Sequence, residues 1–303
     1  MRRKKLTAAI TLLLALVICT GAFMKLQKEV RSADLEKDSG FLTFSVLADV
    51  HADKDKLKAS VIDLYFLNQE TDAMVLNGDV VDEGVYEQYS DVRDVLDDSW
   101  SLLPDKVIHN IGNHEYFNYK RGRNTIADAI NYRNLYFFFT GNISVYHDTW
   151  IKGYHFISLG SESANLKGAN PPNAADLSES QLAWLKKKLK EKYEPGKPVF
   201  VFLHQHLKSG VKDWKGVIQE EELTEILSEH PEVILFTSHT HAPLAEEGVI
   251  QTDPFTIVNT GAVDYVMENG SQGLYVQVSG DTVVIGGRDF TDHYWIFSRE
   301  IKK

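Results

Sequence analysis

The stretch Phe41-Leu42-Thr43-Phe44-Ser45-Val46-Leu47-Ala48-Asp49-Val50-His51 runs through eight uncharged residues and then presents a carboxylate and an imidazole within three positions. The apolar run predicts a buried strand over 41–48. The same succession recurs along the chain. An apolar stripe through Leu57, Val61, Leu64 and Tyr65 predicts a helix over 56–69, and the next apolar run, 73–76, leads to Asp79. Strands expected over 107–111, 198–203 and 233–237 lead to Asn113 and His114, to His204, and to His239 and His241. Strands alternating with helices indicate an α/β protein. Ser178 and Gln181 read as a capping box opening a helix through Leu182 and Leu185, and 192–197 reads as a turn around Pro195-Gly196. Toward the C-terminus, strands over 273–278 and 282–285 are joined by a hairpin turn at Ser279-Gly280-Asp281.

In open α/β sheets the carboxyl ends of the strands form the ligand crevice, so donors far apart in sequence can converge there. Asp, Asn and His together offer oxygen and imidazole ligands, which suit Mn²⁺, Fe or Zn²⁺ better than a thiolate site or an all-oxygen Ca²⁺ cage. Cys19 is the only cysteine and lies in the N-terminal apolar stretch, so the rest of the chain has no thiol nucleophile or thiolate ligand. Asp49 and His51, like His239 and His241, stand two positions apart, and in extended chain such side chains point the same way. A carboxylate such as Asp79 can bridge two cations about 3.5–4 Å apart, an arrangement that polarises a phosphoryl oxygen and generates hydroxide near neutral pH.

Read in order, Asp49-Val50-His51, Gly78-Asp79-Val80-Val81-Asp82, Gly112-Asn113-His114-Glu115, His204 and His239-Thr240-His241 resemble the five-motif signature of the calcineurin-like metallophosphoesterases. The resemblance spans residues 49–241. It implies a two-sheet β sandwich flanked by helices, a four-layer α/β/β/α fold. It also implies two divalent metal ions, with Asp49, His51 and His241 on one, Asn113, His204 and His239 on the other, and Asp79 bridging both. His114 would then be the general acid toward the leaving oxygen, with Asp82 a supporting residue and a metal-bridging hydroxide the nucleophile.

Three departures from the family pattern refine this expectation. Ser238 stands where the family usually has glycine, and His206 is a reserve candidate beside His204. The relatives that dephosphorylate protein serine and threonine carry phosphate-holding arginines beside the second and third motifs. Here Glu83 and Ile111 occupy those neighbourhoods. The purple acid phosphatases fit poorly at His51 and Asp82, and what remains resembles the cyclic-nucleotide and general phosphodiesterase branch. A nucleotide pyrophosphatase using the same site, or a metal-binding domain without turnover, are the alternatives.

The 303 residues, 43% hydrophobic and 25% charged, have a globular composition. Arg2, Arg3, Lys4 and Lys5 precede an uncharged stretch over 6–24, long enough for a membrane anchor. Residues 1–24 are therefore expected to be a signal peptide or N-terminal anchor, 25–40 a linker and 41–303 the catalytic domain. Such a domain would face outward at the cell membrane, or be secreted after cleavage near Thr20-Gly21-Ala22. Without the four basic residues, the formal charge of −11 becomes −15 over 6–303, which disfavours a nucleic-acid polymer and favours a small-molecule phosphoester. His109, His147, His155, His230 and His293 match no motif and are expected to be packing or surface residues. Tyr116, Phe117, Tyr119 and the aromatics of 132–139 are expected in core or lid packing. The lysines of 186–192 read as a solvated helix face. The sequence contains no P-loop, dinucleotide Gly-rich loop, nucleophile elbow or HExxH helix.

Overall fold

A computed structural model describes residues 41–167, 171–207, 216–245, 249–264 and 270–303. The expected signal or anchor segment and the linker lie outside the described residues. Among the described residues, no helix is long and apolar enough to cross a membrane.

Strand β1 (Phe41–Leu47) is buried on both faces. Its alternation sends Leu42, Phe44 and Val46 toward one core and Leu47 toward another. It pairs in parallel with β2 (Ala73–Asn77), and β2 pairs in parallel with β3 (Lys106–Asn110). On the other side of β1 stand β10 (Gln272–Ser279), β11 (Thr282–Asp289) and β12 (Tyr294–Lys302), which complete a six-stranded sheet in the order β12-β11-β10-β1-β2-β3. The second sheet has the order β4-β5-β6-β7-β9-β8. Its strands are β4 (His147–Ile151), β5 (Tyr154–Ser158), β6 (Val199–Phe202), β7 (Val233–Thr237), β8 (Ile250–Gln251) and β9 (Thr256–Asn259). The middle four run parallel, and the two edges, β4 and β8, are antiparallel to their neighbours.

The sheets meet through a core to which both contribute, including Phe44, Phe156, Phe200, Phe202 and Phe236. Phe202 stacks on Phe156 at 5.7 Å and on Phe236 at 5.1 Å, while Phe44 meets Phe200 edge-on at 4.9 Å. Such pairs add about 0.5–1.5 kcal/mol each beyond the burial of their area. On the outer face of the first sheet lie α1 (Lys54–Leu67), α2 (Tyr86–Asp98) and α3 (Ile126–Thr140), packed through Leu57, Val61, Tyr89, Val92 and Tyr136. On the outer face of the second lie α4 (Glu179–Leu189) and α5 (Glu220–Ser228), packed through Leu182, Leu185, Leu223 and Ile226. The result is the four-layer helix/sheet/sheet/helix sandwich.

Local chemistry sets the element ends. Helix α1 starts at Lys54 rather than Lys56 because the Asp53 side chain accepts the Lys56 N–H at 2.9 Å, a helix N-cap. Ser178 caps α4 by accepting the Gln181 N–H at 3.2 Å, but the expected box is only half formed. The Gln181 side chain instead hydrogen-bonds both backbone groups of Gly160, and the Ser178 N–H donates to Glu162. The reciprocal box of this fold is at Thr125 and Asp128, opening α3. Ser279 and Thr282 pair across the expected hairpin, with Gly280 left-handed at φ 59°.

Candidate metal centre

The chain leaves β1, β2 and β7 through tight left-handed kinks. Asp49, His51, Asp79, His239 and His241 have φ between 50° and 70°, a region that side-chain-bearing residues rarely occupy. The Asp49/His51 and His239/His241 pairs therefore do not converge through extended backbone, as the spacing alone suggested. Each kink costs on the order of 1–3 kcal/mol and persists only where its surroundings hold it. That hold is visible: Asp49 N–H donates to Gly78 O at 3.1 Å, and Val50 and His51 N–H both donate to Asp79 O, at 2.8 and 3.1 Å. The two motif glycines are required by contact. A Cβ on Gly78, at φ 86°, would lie 2.7 Å from the His204 side chain, and one on Gly112 would lie 2.1 Å from Asp79 Oδ1.

Six of the seven expected ligands come together in two adjoining groups. The ligand atoms of Asp49, His51 and His241 all lie within 4.8 Å of one another, and so do those of Asp79, His204 and His239. In the first group His241 Nε2 is 3.0 Å from Asp49 Oδ1 and 3.3 Å from His51 Nε2. In the second His204 Nε2 is 2.9 Å from Asp79 Oδ2, and 3.7 Å from Asp49 Oδ1 across the divide. Asn113 is 1% exposed.

The donors fit divalent cations. Asn113 Oδ1 is buried with no hydrogen-bond partner among the described residues, and His204 Nε2 and Asp79 Oδ2 approach without hydrogen-bond alignment. A buried polar atom left unsatisfied costs about 1–3 kcal/mol, which coordination would remove. The imidazoles are also turned for ligation from behind. His204 Nδ1–H donates to Asn77 O at 2.8 Å and His51 Nδ1–H to Asp82 Oδ1 at 3.4 Å, leaving Nε2 of each ring toward the cluster.

Charge is distributed unevenly over these rings. Burial disfavours the His204 cation, yet the Asp79 and Asp49 carboxylates outweigh it and raise its pKa to about 10. Burial and the neighbouring His204 push His239 down to about 3. Burial alone would raise Asp79, but His204 and His114 hold it well below the usual carboxylate range. The carboxylates thus stay ionised and available to cations.

His114 stands at the edge, 18% exposed, with Nε2 4.0 Å from Asp79 Oδ2. Its Nδ1–H donates to the Asp82 carbonyl at 2.8 Å, with Asp82 Oδ1 at 3.2 Å. Burial works against its cation, but Asp79 and Asp82 prevail and raise its pKa to about 9. Asp82 also accepts the Tyr119 O–H at 2.9 Å, and Phe117 packs on the His114 ring at 4.7 Å. His206 stacks on His239 at 5.6 Å rather than joining either group, which separates it from His204. Ser238 is buried beneath the cluster, where its hydroxyl pairs with Thr260 at 2.8 Å and accepts from Asn77 Nδ2 at 2.9 Å.

Glu115 ends the third motif, and the fold gives it a role. Its Oε2 accepts the N–H groups of Asp79 and Gly112, and its Oε1 that of Val80. The legible signal was its three-residue offset from Gly112, within reach of that backbone amide.

The fold has known counterparts. A dimetal phosphatase from Danio rerio superposes with a TM-score of 0.61, at 17% identity over 86% of this chain and 98% of that one. A purple acid phosphatase from yellow lupin gives 0.62, at 12% identity over 88% of this chain and 54% of that one. The inner membrane complex anchor of Plasmodium gives 0.61, at 13% identity over 87% and 89%. Identities this low show the fold alone. Among curated proteins none matches the sequence. The calcineurin-like phosphoesterase family model, however, matches residues 42–243, the segment from β1 through the last kink that carries every one of the clustered donors. This chain is a member of the calcineurin-like phosphoesterases, hydrolases acting on phosphoester bonds.

Proposed function

We propose that the chain hydrolyses a small-molecule phosphodiester or phosphomonoester at a two-cation centre, with His114 delivering a proton to the leaving oxygen. The observation that carries this reading is the convergence of six donors from four strand ends, with a histidine beside them. Asp49, His51 and His241 would hold one cation, Asn113, His204 and His239 the other, and Asp79 would serve both. When bound, the cations supply Lewis acidity toward a phosphoryl oxygen and lower the pKa of water. The imidazoles suit Mn²⁺, Fe or Zn²⁺.

The chain's own groups account for the proton. Because the Asp82 carbonyl can only accept, His114 keeps its proton on Nδ1, and the transferable proton is that on Nε2, the nitrogen toward the cluster. Asp82 and Tyr119 hold the ring from the far side. The net negative charge supports a small substrate over a nucleic-acid polymer. The basic and then apolar start of the chain supports a site facing outward at the cell membrane.

Hydrolysis of bis-p-nitrophenyl phosphate beside p-nitrophenyl phosphate tests this reading, using the full chain stripped with chelator and resupplied with Mn²⁺. Metal-dependent turnover, lowered about 10²–10⁴-fold in His114→Ala, is expected. Faster diester cleavage would favour the phosphodiesterase branch. No turnover of either ester with Mn²⁺, Fe²⁺ or Zn²⁺ would overturn the proposal.

A further inference from the structure

Of the ten large apolar side chains that stand exposed among the described residues, all but Tyr193 and Tyr294 fall between Phe66 and Ile143, the part of the chain that holds α1, α2 and α3. The helices over the second sheet, α4 and α5, expose none. The bias is strongest on α3. Ile126, Ile130, Asn134 and Phe138 succeed one another at four-residue steps and so form one row along the helix. Ile126 is 73% exposed, Ile130 42% and Phe138 63%. Ala127 and Asn131, beside that row, are exposed as well, so no exposed position of α3 carries a charge. By contrast, α1, α2, α4 and α5 each present a charged side chain to solvent: Lys58, Asp94, Lys186 and Glu222. The inward side of α3, with Ala129, Tyr132 and Tyr136, already supplies its share of the core, so the outward row is not needed for folding. An uncovered apolar row of this kind marks an interaction surface.

The charges around α3 select the partner. Over 116–147 the chain has four basic residues, Lys120, Arg121, Arg123 and Arg133, against one acid, Asp128, a formal +3 in a chain of −11. Three of the four stand in the turn that leads into the helix. Arg121 pairs with Asp128 at 2.9 Å, and Glu83 approaches the same turn to accept the Tyr119 N–H, which leaves the turn positive on balance. Lys120 is exposed there. An uncharged apolar helix face flanked by basic residues suits a helix lying in the plane of a lipid surface. The apolar row enters the boundary between headgroups and acyl chains, and the cations meet anionic headgroups. A lipid surface also accepts a protruding row without the shape complementarity that a protein partner requires.

We propose that α3 docks in plane on an anionic lipid surface through Ile126, Ile130 and Phe138, with the turn at 120–123 on the headgroups. The inference goes beyond the hydrolase reading and draws on the membrane location proposed with it. In a Cys19→Ser background, the full chain carries a nitrobenzoxadiazole label at Asn134→Cys or, as control, at Ala183→Cys on the exposed side of α4. It is reconstituted into vesicles of phosphatidylcholine with or without an equal part of phosphatidylglycerol. Blue-shifted emission at 134 and not at 183 is expected, with quenching by brominated lipid that is stronger in the anionic vesicles. Ile130→Asp and Phe138→Asp, both at exposed positions, should each lower that quenching at least twofold, and either alone suffices if the other fails to fold. Lys120→Glu should lower it in the anionic vesicles only. Unshifted emission at 134, whether or not the chain floats with the vesicles, would overturn the docking, as would equal shifts at 134 and 183. Equal quenching in neutral and anionic vesicles would overturn the anionic class. A shift at 134 that follows protein concentration and not lipid would overturn the lipid surface in favour of a second copy of the chain. Flotation reports the tether, the label reports α3, and neither involves turnover, so failure here is distinguishable from failure of the location or the hydrolase reading.

Discussion

Glu115 holds Asp79 by its backbone: the Asp79 N–H donates to Glu115 Oε2 at 3.1 Å, and the same oxygen takes the Gly112 N–H at 2.7 Å. One buried carboxyl group therefore ties the loop after β2 to the loop after β3. Burial and the neighbouring Asp79 raise the Glu115 pKa to about 7 against the pull of these backbone donors, so each bond contributes about 1–3 kcal/mol. Glu115→Gln would lose acceptor capacity and turn an NH₂ toward backbone donors. The expected outcome is a loss of about 2–4 kcal/mol in urea unfolding, together with weaker Mn²⁺ binding.

Much of this arrangement was legible in sequence because β1, β2, β6 and β7 are buried runs whose ends coincide with the donors. A buried strand has no polar alternative, so Phe44, Val75, Phe202 and Phe236 fix both its existence and its place. Edge elements gave no comparable signal: β12 carries Arg299, Glu300 and Lys302 on a half-exposed strand, and its pattern reads as surface chain. The donors themselves could be read, but not the left-handed kinks at Asp49, His51, His239 and His241. These depend on bonds between loops far apart in sequence. Nor could Gln181 be read, since its pull toward Gly160 arises only when β5 and α4 meet.

Asp82 is expected to act through His114. Its carboxylate is among the groups that raise the His114 pKa, so Asp82→Asn lowers that pKa. The acid form is then lost earlier as pH rises, and the alkaline limb of kcat/KM moves to lower pH. Because Asp82 also accepts from His51, a modest loss of metal affinity should accompany the shift. A kcat/KM–pH profile at saturating Mn²⁺ separates the two effects.

Stability should fall between pH 6.5 and pH 4 because of histidines outside the metal centre. Burial, with His147 next, pushes His109 down to about 4, and burial lowers His147 as well. Between the folded value and the ordinary value near 6.5, the unfolded chain binds a proton that the folded chain refuses. Each such group then removes up to about 1.4 kcal/mol per pH unit as pH falls. Chelator-stripped His109→Asn should show a shallower decline in urea unfolding over this window than the stripped native chain.

Phe202→Ala tests the sandwich itself. The ring is fully buried between Phe156 and Phe236, and its removal leaves a cavity between the sheets. A loss of about 3–5 kcal/mol in urea unfolding is expected.

The two-cation centre is tested most directly by calorimetric titration of the chelator-stripped full chain with Mn²⁺, run beside the Asp79→Ala variant, with bis-p-nitrophenyl phosphate hydrolysis followed on the same samples. Two equivalents bound by the native chain, fewer by the variant, and hydrolysis only in the native chain are expected. Binding of one equivalent or none by the native chain, or two equivalents and undiminished hydrolysis in Asp79→Ala, would contradict it.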